Sequence, residues 1–215
     1  MNWWNGISFA ADMSLMGPAG VAIALWLLVS RQWRLVLSWS LWYGGGLMLV
    51  VLSKLAFIGW GVGSSAFDFT GFSGHAMRAG AVFPVLMYVV LQRAPRPWRH
   101  AGVLLGVAFA ILVAISRVVV QAHSISEAVS GCLLGLATAF GFMWSARGTV
   151  HFAISRALVL ASLAVMVLLS FKAEPMPTEL WLQKLALALS GHKEVFSREQ
   201  WKLKPEAHAG RPAGK

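Results

Sequence analysis

Residues 35–53 read LVLSWSLWYGGGLMLVVLS, a run with no charged side chain, bounded by Arg34 and Lys54. At about 1.5 Å per residue, a helix of this length spans about 28 Å, close to the hydrocarbon thickness of a bilayer. Apolar runs of the same kind recur on both sides of it, with charges gathered between them. Of the 215 residues 58% are hydrophobic and only 12% charged, too little charge to cover a soluble domain of this size. The sequence therefore predicts an all-α fold, a polytopic membrane helix bundle with about six spans. These lie near residues 13–30, 35–54, 75–92, 101–119, 124–146 and 152–171. Eleven tryptophans suit a chain that meets the membrane–water interface repeatedly.

The loops predict an orientation. Arg31 and Arg34 join the first two spans, Arg93, Arg96 and Arg99 the next pair, and Arg147 the last, with Arg156 close by. All three loops fall on one side, which the positive-inside rule makes cytoplasmic. The formal net charge of +10 is thus read as span flanks, not as a nucleic-acid surface. The first fifteen residues hold no Lys or Arg, so the first run reads as a span and not as a cleaved signal peptide. The expected location is a bacterial-type inner (cytoplasmic) membrane, with the loops around 55–74 and 118–124 facing outward.

Residues 1–171 are expected to form one transmembrane domain, and 172–215 a polar tail. Within the tail, Thr178–Ser190 reads as a short amphipathic helix, with Leu182, Leu185, Ala186 and Leu189 on one stripe, lying flat on the outer surface. The end from Pro205 reads as disordered. Met1 to Asp12, with Trp3 and Trp4, reads as a second interfacial segment. Gly44-Gly45-Gly46 predicts a close helix contact, and Gly59, Gly61 and Gly63 a flexible loop.

Ionisable side chains at membrane depth are costly and need a reason. The outward ends of spans two to five carry Lys54, His75, Arg78, Arg117, His123 and Glu127. Cations beside two imidazoles suit an anion with several oxygens, most simply a phosphate. Ser73-Gly74-His75 opens a span, where a helix N-terminus offers N–H groups and glycine admits a ligand to the backbone. Glu127 lies four residues beyond His123, on the same helical face, so it can hold the imidazole N–H and set its tautomer. An oriented histidine beside an anion site is what nucleophilic attack on phosphorus requires. Taken singly, each residue has a plainer reading. His100 and His151 fit interfacial positions, Lys54 a snorkelling anchor, Arg78 a packing residue, and Asp12 and Asp68 solvated or capping groups. The joint pattern is what those readings leave unexplained.

These residues resemble the phosphatidic acid phosphatase type 2 family over roughly residues 50–145. Ser116-Arg117, five residues, His123, three residues, Glu127 is similar to the third signature, Ser-Arg-x5-His-x3-Asp. Phe72-Ser73-Gly74-His75 resembles the second, Pro-Ser-Gly-His, and Lys54 the start of the first, Lys-x6-Arg-Pro. Three positions depart from the pattern. Gly61-Val62 stands in place of Arg-Pro, Phe72 in place of Pro, and Glu127 in place of Asp. The resemblance implies a lipid phosphate phosphatase without a cofactor or metal, in which His123 attacks phosphorus and forms a phosphohistidine. It implies that His75 protonates the leaving oxygen and later activates water, and that Glu127 orients His123. Lys54, Ser73, Gly74 and Arg117 would hold phosphoryl oxygens, with Arg78 replacing the cation missing at residue 61. The expected partners are a lipid phosphate and the bilayer. Two alternatives stay open: phosphotransfer to another lipid through the same intermediate, and a non-catalytic lipid-binding or transport role on the same fold.

Overall fold

In hydrocarbon, backbone N–H and C=O groups must be satisfied within the segment that carries them, so each long apolar run becomes a helix. The computed structural model describes residues 3–148, 155–172 and 177–199. Its helices are α1 (Trp3–Phe9), α2 (Met13–Val29), α3 (Trp33–Trp60), α4 (Gly74–Val90), α5 (Arg96–Val119), α6 (Ile125–Ser145), α7 (Arg156–Lys172) and α8 (Thr178–Ser190). Among the described residues, extended backbone pairs only in an isolated bridge between Ser64 and Phe69. The segment Trp3–Val29 and helices α3, α5 and α6 are long and apolar enough to cross a membrane. Helices α4 and α7, 17 residues each, lie at the lower limit for a span. The fold is an all-α membrane bundle.

Helix α4 sits at its centre and packs most extensively on α5 and α6. Its Ala76, Met77, Ala79, Ala81, Val82 and Val85 are all fully buried, whereas Leu37 and Leu41 of α3, Leu105 of α5 and Leu133 of α6 point outward toward lipid. Lipid is as apolar as a leucine side chain, so packing between spans depends on close contact more than on hydrophobicity. The α4–α6 seam meets that need with glycine. A β-carbon on Gly135 would lie 2.2 Å from the Met77 carbonyl oxygen, and one on Gly80 2.9 Å from that of Cys132.

Several boundaries differ from the sequence reading. Helix α3 continues past Lys54 to Trp60, because Leu55, Phe57 and Ile58 are covered by Ala186 of α8. Helix α8 therefore packs on the end of α3 and does not simply lie on the membrane. Leu185 and Leu189 of its expected stripe remain exposed. Helix α5 begins at Arg96, earlier than expected, since Pro97 falls in the first turn where its missing N–H costs nothing. Of the triple glycine only Gly46 meets another helix; Gly44 and Gly45 have nothing nearby. Helix α1 is more than an interfacial segment, since it packs against α5. His151 and the end from 205 lie outside the described residues.

Alternating chain direction brings the start of α2, the end of α3, the start of α4, the end of α5 and the start of α6 to one end of the bundle. The basic loops gather at the other. Arg31, Arg34 and Arg147 line one cleft there, and Arg99, His100 and Arg147 an adjoining one.

Candidate active site

The loop between α5 and α6 carries His123, and the first turn of α6 carries Glu127. The His123 Nδ1 lies 2.8 Å from Glu127 Oε2. Ser124 caps α6 by accepting from the Glu127 N–H, while Glu127 accepts from the Ser124 N–H at 3.3 Å. This is a reciprocal capping box, legible as Ser124-x-x-Glu127. It holds the carboxylate through contacts within four residues of chain. Glu127 is fully buried and further held by the Thr70 N–H at 2.8 Å, by the Thr70 hydroxyl, and by Arg198 Nη2 at 2.6 Å. The extra methylene of Glu relative to Asp leaves the bond to His123 intact.

Ser73 caps α4, accepting from the Ala76 N–H at 3.5 Å, and its own N–H donates to the Glu127 carbonyl at 3.1 Å. The starts of α4 and α6 are thereby tied together, and Gly131 lets them touch: a β-carbon there would stand 2.6 Å from the Ser73 carbonyl oxygen. His75, in the first turn of α4, places Nε2 3.3 Å from Asp12 Oδ2. Asp12 also caps α2 through Ser14 and is buried, so its capping reading holds and its solvated one does not. An aspartate just before an apolar run is a visible cap signal. That it would meet His75 is not visible in sequence.

The cations divide between two flanks. Arg78 is buried and donates through Nε and Nη2 to the Ala11 carbonyl at 3.3 and 3.2 Å. Its Nη1 lies 3.1 Å from where a β-carbon of residue 74 would stand. Arg117 donates to the Ser8 hydroxyl, and among the described residues its buried Nε has no acceptor. Buried donors are rarely left unpaired, so an oxygen-rich ligand beside Arg117 would satisfy a standing demand. Lys54 pairs with Glu179 of α8. Lys54, Arg117, His123, Glu127, Glu179 and Arg198 line one cavity of about 430 Å³. Arg78 and His75 are not in its lining. Burial lowers the His123 pKa from its ordinary 6.5; the Lys54 and Arg117 charges add to this, and Glu127 opposes it. The imidazole is therefore neutral, with a lone pair available, at neutral pH.

The structure thus joins Lys54, Arg117, His123 and Glu127 around a cavity and fastens Ser73 and Gly74 beside them. Sequence reasoning missed Asp12, Thr70, Glu179 and Arg198. These reach the site from distant segments and carry no local spacing signal, Asp12's cap apart.

Fold and site together define a polytopic membrane protein with an ionisable cluster of two histidines and several cations at one end of its bundle. The PAP2 superfamily model matches residues 56–150. An uncharacterized 22.5 kDa protein in the cps region of Klebsiella pneumoniae is 34% identical over 201 residues, which is 91% of this chain and 95% of that protein. Phosphatidylglycerophosphatase B of Bacillus subtilis (strain 168) is 36% identical over 77 residues, 35% of this chain and 37% of that enzyme. The chain belongs to the PAP2 superfamily. No solved structure is significantly similar to it.

Proposed function

We propose that this protein is a membrane lipid phosphate phosphatase working through a phosphohistidine on His123. The observation that carries the reading is the His123–Glu127 bond at 2.8 Å on a cavity shared with Lys54 and Arg117. With Nδ1–H donated to the carboxylate, Nε2 is the nitrogen left to attack phosphorus. The P–N bond forms as the P–O bond to the lipid alcohol breaks. His75 enters the step as the imidazolium, its Nε2–H held by Asp12, and gives that oxygen the proton on Nδ1. In the second half, His75 takes a proton from water, whose oxygen attacks phosphorus and releases His123. Glu127 stabilises the imidazolium while it is phosphorylated. Lys54, Arg117, the Ser73 hydroxyl and the Gly74 N–H hold the phosphoryl oxygens, with Arg78 adding positive charge behind Gly74. One such donor contributes on the order of 3 kcal/mol to the transition state.

The headgroup enters at the site end while its chains stay in lipid. Family membership and the similarity to a phosphatidylglycerophosphatase support a lipid monoester, and the same residues accept a prenyl pyrophosphate. By the arginine loops, the site faces outward from a bacterial-type inner membrane. The test is phosphate release by purified protein from phosphatidylglycerol phosphate, phosphatidic acid and undecaprenyl pyrophosphate, without added divalent metal. Expected is release that vanadate inhibits and that His123→Ala abolishes. Full turnover by His123→Ala would sink the mechanism, and label passing from donor lipid to a second lipid would identify phosphotransfer instead.

A further inference from the structure

The position where the first signature has arginine is Gly61, and the structure explains why no side chain stands there. Gly61 ends α3 in the left-handed region at φ 69°, a conformation that favours glycine. A β-carbon on it would lie 2.9 Å from Phe196 Cδ1. A side chain at residue 61 would require the Phe196 ring to move. Phe196 belongs to the segment 191–199, which follows α8 and folds back across the end of α3. The segment is pinned by its backbone: the Phe196 N–H donates to the Ile58 carbonyl at 2.9 Å. The His192 ring meets the Gly59 carbonyl at 2.8 Å through Nδ1. Two residues beyond Phe196, Arg198 reaches into the cavity of Lys54, Arg117 and His123. Its Nη2 lies 2.6 Å from Glu127 and its Nη1 3.5 Å from Asp68.

We infer that Arg198 is a phosphate-binding residue of this site, delivered by the C-terminal strap 191–199 into the place that Gly61 leaves without a side chain. The inference rests on the phosphatase reading above and adds a residue to it. A guanidinium presents a planar fork that matches two phosphate oxygens. Glu127 and Asp68 balance its positive charge. The strap flank is distinct from that of Arg78, which stands behind Gly74 and outside this cavity. The ligand class is a phosphate monoester or pyrophosphate headgroup, and free inorganic phosphate shares its chemistry.

The test uses the full chain in detergent and measures equilibrium binding of inorganic phosphate and of vanadate, beside lipid hydrolysis. Arg198→Ala should weaken phosphate binding about 10-fold or more, as expected for losing a charge-assisted contact. Arg198→Lys should fall between it and the wild type, because charge is kept and the fork is lost. Phe196→Ala, which removes the ring packed on Gly61 and His192 and so loosens the strap but keeps the guanidinium, should weaken binding in the same direction. If Arg198→Ala fails to fold, Arg198→Lys and Phe196→Ala carry the test. Phosphate binding equal to wild type in the folded variants overturns the inference, and so does a wild type that binds no phosphate. Unchanged binding with a shifted pH profile also overturns it, because Arg198 would then act only through Glu127. Hydrolysis by His123→Ala at the wild-type rate defeats only the His123 mechanism, and no phosphate release by the wild type defeats the phosphatase reading; in both cases the binding measurement still decides Arg198.

Discussion

Glu127 does two jobs with one side chain. It completes the capping box of α6 with Ser124, and it receives His123, Thr70 and Arg198. Glu127→Gln keeps the shape but removes the charge that holds the imidazole tautomer. Its kcat should fall on the order of 100-fold or more, as when a histidine loses its orienting carboxylate. KM should change much less, which steady-state kinetics on a lipid phosphate will show. In the proposed mechanism His123 sets an acid limit. Because its folded pKa is lowered below 6.5, its imidazole stays neutral below the pH at which a free histidine titrates. The His123-dependent limb of kcat/KM should stay flat as pH falls through 6.5 and drop only in more acid buffer. The same shift affects stability. Between the lowered value and 6.5 the unfolded chain binds more protons at this residue than the folded one, so stability rises with pH across that window and levels off above it.

At the scale of elements, the α4–α6 seam holds the two halves of the site in register. Gly135→Ala places a β-carbon against the Met77 backbone, where no flexible side chain can yield. Such overpacking costs typically 1–3 kcal/mol, so the thermal midpoint in detergent should fall, and turnover with it. Helix α8 makes a different kind of contact. Its Glu179 carboxylate, itself well exposed, occupies the Lys54 ammonium. In the proposed function a substrate phosphate takes that place. Glu179→Gln should therefore lower KM while leaving kcat near wild type, and an unchanged or raised KM would show that Lys54 does not meet substrate.

On the scale of the whole molecule, the loop arginines Arg31, Arg34, Arg99 and Arg147 and the site lie at opposite ends of one bundle, which makes orientation measurable. The only cysteine, Cys132, is buried and stays out of the way of labelling. Ser65→Cys, in the exposed loop at the site end, should react with an impermeant thiol reagent on intact cells. His100→Cys, at the arginine end, should react only after permeabilisation. The reverse pattern would put the site on the cytoplasmic side. The termini also matter at this scale. The N-terminal segment supplies Ser8, Ala11 and Asp12 to Arg117, Arg78 and His75, and the C-terminal strap supplies Arg198 to Glu127.

The sequence by itself determined the membrane bundle, because hydrocarbon forces each uncharged run into a helix whatever its neighbours are. It also determined the pairing of His123 with Glu127, since the Ser124-x-x-Glu127 capping box turns the carboxylate back toward the residue just before the helix. The Ser73-Gly74-His75 opening of α4 belongs to the same class, being a cap followed by a first turn. Tertiary structure alone decided which distant groups complete these local pieces. Asp12 reaches His75 across an interhelical gap, and Arg198 reaches Glu127 only because the chain folds back over Gly61. The helix α8 shows the limit in one element: its period is readable, but whether its stripe meets lipid or the end of α3 depends on Leu55, Phe57 and Ile58 being there to cover. Local geometry is written in spacing, whereas a contact between remote segments depends on the packing of everything between them.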